Sequence, residues 1–156
     1  MTTPFVPVFA WPKPSEDLDG RTLIRLLNLY KPAGLIACYV DGGGSAITAG
    51  QVRYLPCMNF KAKIMGWTVI GDAAGGTCTF DVWKVAGPAI PTVADTIVAA
   101  APPELTAAAL VNSATTVPTW TGVQIAENDV LAIQLSANSL HTSLALVLSV
   151  ARGDDR

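Results

Sequence analysis

The stretch KAKIMGWTVIGDAAGGTCTFDVWKV, Lys61 to Val85, decides how this chain folds. Its second half alternates. Cys78, Phe80 and Val82 fall on one side and Thr77, Thr79 and Asp81 on the other, the period-two pattern of a strand with one buried face. Its first half carries Ile64, Trp67 and Val69 ahead of Gly71-Asp72-Ala73-Ala74-Gly75-Gly76, a run that breaks regular structure and turns the chain back. The two halves read as a β-hairpin.

Further strand signals lie on both sides of it. Leu35 to Val40 is a short apolar run closed by Asp41-Gly42-Gly43-Gly44, and Gln51 to Cys57 follows Gly50. Beyond the hairpin, Thr115 to Gly122, Asp129 to Ser136 and Thr142 to Ala151 read as strands. In the last, Leu144, Leu146, Leu148 and Val150 alternate with Ala145, Val147, Ser149 and Ala151, so both of its faces are expected to be covered. Pro88, Pro91, Pro102 and Pro103 mark a long irregular connection, and the alanine-rich Leu105 to Leu110 reads as a helical turn. Short strands with regular turn punctuation predict an all-β fold: an antiparallel β-sandwich, jelly-roll-like in topology.

The first residues differ in character. Pro4, Pro7, Pro12 and Pro14 interrupt any ladder, because proline lacks the amide donor. Phe5, Val8, Phe9 and Trp11 are nevertheless more apolar than a free tail would be. Residues 1–34 are therefore read as an extended N-terminal arm, with Phe5, Val8, Phe9 and Trp11 as its contacts to a neighbouring subunit. A first edge strand folded back on the same chain is the equal alternative. Within this segment, Arg21 to Tyr30 fits helical and strand spacing alike. Residues 35–156 are read as the sandwich.

Of the 156 residues, 51% are hydrophobic and 14% charged, and the mean hydropathy is +0.41. Soluble domains carry about 25% charged residues, so this surface is poor in charge and points to burial against partners. No apolar run approaches the about 20 residues needed to span a membrane. A net charge of −2 gives no electrostatic footprint for nucleic acid.

The residue types that carry chemistry are sparse. Cys38, Cys57 and Cys78 form no CxxC pair and read as buried, reduced thiols of a protein made in a reducing cytoplasm. His141, the one histidine, stands among Ser139, Thr142 and Ser143 at a predicted turn and reads as a surface residue, since no GxSxG elbow accompanies it. Glu16/Asp17/Asp19, Glu127/Asp129 and Asp154/Asp155 read as solvated turn and tail residues rather than an acid–base pair. Arg152-Gly153-Asp154 is a chance tripeptide. No catalytic residue, cofactor or metal site is expected. Trp67 and Trp120 read as core, whereas Trp83 shares its strand face with Thr79 and Asp81 and is the expected interface or ligand contact.

Taken in order, Tyr54-Leu55-Pro56-Cys57, Ile64-Met65-Gly66-Trp67-Thr68-Val69, Gly75-Gly76 and Phe80-Asp81-Val82-Trp83-Lys84 resemble a β-sandwich module of tailed bacteriophage virion proteins. The likeness continues through Pro91 to Ile97, Pro103-Glu104-Leu105, Thr119-Trp120 and Asn128 to Ala132, and so covers about residues 50–150. The resemblance implies a non-enzymatic module of phage fibres, spikes and capsid-decorating proteins, often a homotrimer. Two departures bear on its place in a virion. Only about 50 residues precede the module, and no heptad or collagen-like repeat is present to form a shaft. The expectation is a capsid decoration (cement) protein of the virion, bound to the major capsid protein or other virion subunits, with no nucleic-acid or membrane partner. The alternative is a tail-fibre or receptor-binding tip that recognises host glycans through Trp83.

Overall fold

The computed structural model describes residues 33–153 apart from positions 57, 74 and 108. The described residues belong to one compact unit. The expected arm contacts Phe5, Val8, Phe9 and Trp11, and the Arg21 to Tyr30 run, lie outside the described residues.

Among the described residues nine strands follow one another: β1 Ala33–Asp41, β2 Val52–Leu55, β3 Ala62–Gly71, β4 Cys78–Ala86, β5 Glu104–Leu105, β6 Val111–Ala114, β7 Gln124–Ile125, β8 Asp129–Asn138 and β9 Ser143–Arg152. They form two antiparallel sheets. The first has the order β1-β9-β3-β6, with β7 also on β3, and the second the order β2-β8-β4-β5. Setting aside the two-residue β7, this is the eight-strand order of a jelly roll, in which a long hairpin is rolled into two facing sheets. The fold is all-β, as expected.

The strand expected to be covered on both faces occupies the centre. β9 lies between β1 and β3, and Leu144, Leu146, Leu148 and Val150 project into the core. Its other face, from Ala145 to Ala151, stays half-buried. Opposite it, Leu131, Ile133 and Leu135 of β8 and Phe80 and Val82 of β4 close the core from the second sheet. Each such side chain stabilises the fold by roughly 1.5–3 kcal/mol when fully buried. Trp67 and Trp120 are in this core, as expected.

The central hairpin is not formed. β3 pairs with β9 and β6 in the first sheet, and β4 pairs with β8 and β5 in the second. The glycine-rich run from Gly71 to Gly76 is thus a corner between sheets. A reversal signal fixes that the chain turns, but not whether it returns to its own sheet. Here the long apolar strands β8 and β9 take the partner positions that a hairpin would have filled.

Other boundaries differ as well. β1 starts at Ala33, two residues ahead of the expected boundary. Glu104–Leu105 is a short strand rather than the start of a helical turn, tied to the edge of β4. The strand expected at Thr115 to Gly122 is instead Val111–Ala114, and residues 115–123 form a loop. The proline-rich connection holds one 3-10 turn at Val93–Asp95, whose Asp95 carboxylate accepts hydrogen bonds from the Thr92 amide and hydroxyl.

Candidate functional site

The outer face of the first sheet carries the main candidate. The pairing registers align its outward residues in rows: Tyr39, Ala145, Ile70 and Val111 in one, and Ala37, Val147, Thr68 and Ser113 in the next. Leu35 stands opposite Ser149, beside the β-bulge between Ile64 and Gly66. Between Asp41 at one end and Lys63 at the other, these rows hold no charged residue. Leu35 is 72% exposed and Tyr39 61%, and Met65, Ile70 and Val111 are also open. With strands about 4.8 Å apart and about 3.3 Å per residue, the face spans roughly 500 Å². Large apolar side chains gathered in the open on one face are a feature of contact sites on soluble proteins. It can bind by shape and burial.

The outer face of the second sheet is different. Trp83 points outward with Asp81, as its alternation requires, but it is only 5% exposed. Its indole Nε1–H donates to Asp81 Oδ2 at 2.8 Å, which leans the ring along the strand towards a residue two positions back. The residue directly opposite is Ala132, small and fully buried, with Tyr54 on its far side. Trp83 therefore offers no exposed ring, and its indole donor is taken by Asp81.

His141 also departs from expectation. It is fully buried, beneath the corner that joins β3 to β4. A Cβ added at Gly71 would lie 2.5 Å from its Cε1, and one at Gly76 would lie 2.6 Å from its Nε2. The two glycines leave the hole that the imidazole fills. Nδ1 accepts the Ala73 amide hydrogen at 3.3 Å and lies 3.5 Å from Asp72 Oδ1, while Nε2 has no hydrogen-bond partner. The backbone around the ring ties three connections together. Gly42 N–H donates to Thr142 O, Ile47 N–H to His141 O, and Asn138 Nδ2 to both Ile47 O and His141 O. Asp72 accepts from the Thr142 amide and hydroxyl, and the hydroxyl bond in particular holds its carboxyl below the ordinary range. His141 is a structural plug, with neither ring nitrogen open to a substrate.

At the opposite end, Asp129 is 4% exposed rather than solvated. Its Oδ2 accepts from the Ala126 amide at 2.9 Å and from Lys84 Nζ at 3.2 Å. Lys84 also donates to Gln124 O at 2.8 Å, which holds its ammonium in place. Alternation in β8 gave no sign of this, because Asp129 opens the strand at a turn where carboxylates are usually wet.

Cys38 and Cys78 are buried free thiols, as expected, and Cys57 lies outside the described residues. Burial pushes the Cys78 thiol up to about 11, and it raises Cys38 against a smaller opposing pull from Arg53. No group of three or more potential metal ligands occurs among the described residues. No helix among them is long and apolar enough to cross a membrane.

No protein-family model matches the chain, and no curated protein matches it.

Proposed function

We propose that the chain is a structural protein of a tailed-phage virion, a capsid decoration protein that assembles as a trimer and binds by surface burial, without catalysis. The observation that carries this reading is the uncharged outer face of the β1-β9-β3-β6 sheet, with Leu35, Tyr39, Met65, Ile70 and Val111 open. A stable sandwich does not need those residues outside. Turned towards a threefold axis, the face would be removed from water by two further copies, and it contains no like charges to oppose that approach. The sequence resemblance to phage virion modules supports the same reading, as does the jelly-roll strand order. The proline-punctuated Phe5 to Trp11 segment is then the anchor on major capsid subunits.

The test has two parts. Light scattering of the purified chain at micromolar concentration should give the mass of three chains, and the chain should co-sediment with capsids. Deleting residues 1–20 should abolish co-sedimentation and leave the body folded. A monomer without capsid affinity overturns the proposal. The rival reading is a host-glycan receptor tip acting through Trp83, a residue that is 5% exposed.

A further inference from the structure

The loop after β6 reads Thr115-Thr116-Val117-Pro118-Thr119-Trp120-Thr121-Gly122, rich in hydroxyls and without a charge. Its tryptophan turns inward. Trp120 is 6% exposed, and its indole Nε1–H donates to Ala101 O at 2.8 Å, which straps the loop to the chain ahead of β5. A second strap joins the edge strands of the two sheets, where Asn112 Nδ2 of β6 donates to Glu104 O of β5 at 2.8 Å. These four residues line one cavity of about 340 Å³, a size within the range of about 300–1,000 Å³ usual for small-molecule sites. The straps fix its walls before any ligand arrives.

Trp67 forms part of the same wall. Its ring is 8% exposed. Its Nε1–H, unlike the indole donors of Trp83 and Trp120, has no acceptor among the described residues. Nor is it sealed in the core, since the one enclosed side-chain polar atom without a partner among those residues is His141 Nε2. An unmet donor at a cavity wall favours a ligand that brings an acceptor. The hydroxyls of Thr116 and Thr119 and the amide oxygen of Asn112 add polar groups, and Pro102, Ala114 and Pro118 set apolar patches between them. No lysine or arginine lines the cavity, and its one charged residue is the exposed Glu104. An anionic ligand therefore finds no counter-charge, and a wholly apolar one would leave the polar groups unmet. A pyranose ring, with hydroxyls at its rim and C–H groups on its faces, matches both kinds of lining.

We infer that this cavity binds a neutral pyranose sugar, with Trp67 Nε1–H donating to a sugar oxygen. Alternation along β6 keeps the site off the assembly face, because Asn112 and Ala114 turn towards the cavity and Val111 and Ser113 away from it. The site is also separate from Trp83, and its test does not depend on the oligomeric state.

The probes are the methyl glycosides of glucose, galactose, mannose and N-acetylglucosamine, each in excess over the full chain and followed by saturation-transfer NMR. At least one should take up saturation, whereas N-acetylneuraminate, an anion beside Glu104, should take up none. Thr119 is exposed, so Thr119→Tyr should melt with the wild type, and by filling the cavity it should abolish the transfer. Trp67→Phe keeps a ring but removes the donor, and should weaken binding about tenfold. Thr116→Ala, also at an exposed position, should weaken it several-fold. No transfer to any neutral glycoside, preferred binding of N-acetylneuraminate, or unchanged transfer in Thr119→Tyr would each overturn the inference.

Discussion

Gly76 lies directly against His141, so close that a methyl group on the glycine would come within 2.6 Å of Nε2. The imidazole and the missing side chain are one packing unit, and they should behave as one when mutated. Gly76→Ala should cost about 1–3 kcal/mol, as overfilled cores do. In a His141→Ala background the same change should cost far less. A double-mutant cycle by urea denaturation should give a coupling of about 1 kcal/mol or more, and strict additivity would show that the two residues do not share the space.

The Asp72 carboxylate should make the corner sensitive to acid. Its folded value lies below the ordinary 3.8, so its stabilising effect is fully present above about pH 4 and disappears as the pH falls through the lower folded value. Asp72→Asn should therefore melt below the wild type at pH 7. The two melting curves should converge as the pH falls well below 3.8. A constant difference across that range would mean that the charge on Asp72 plays no part.

The Asp129–Lys84 pair should matter more than surface ion pairs do. Its side chains are 6% and 18% exposed, and removing one partner of a buried pair costs about 3–5 kcal/mol. Asp129→Ala should approach the lower figure, because Lys84 keeps its bond to Gln124 O. Equilibrium denaturation checks this. A loss below about 1 kcal/mol, typical of exposed pairs, would place the pair in solvent.

Cys38 and Cys78 should resist modification. With its thiol at about 11, Cys78 is almost wholly protonated at pH 8, and the thiolate is the reactive form. Cys57→Ser removes the cysteine outside the described residues. That variant should take up almost no iodoacetamide while folded and two equivalents in urea.

The sequence showed the fold class clearly and the pairings poorly. Alternation in β4 and β9 is local, and it identified strands, faces and core. Whether β3 returns to its own sheet depends on β8 and β9, some sixty residues further on, and no local pattern carries that. The burial of His141 depends on what glycine lacks at positions 71 and 76, a vacancy that becomes visible only once the corner has closed. Trp83 was assigned its correct face, but neither its burial nor the capture of its donor by Asp81 follows from the alternation. The uncharged outer face was hardest to see. Its rows combine four strands distant in sequence, and each contributes only a few unremarkable apolar residues.

That face carries the central claim, and the mass of the particle in solution tests it most directly. Each chain weighs 16.3 kDa. Light scattering at micromolar concentration should report three chains for the wild type and one for a Leu35→Lys/Ile70→Lys variant of unchanged fold. A wild type that weighs one chain, or a double variant that still weighs three, would contradict assembly through the β1-β9-β3-β6 face.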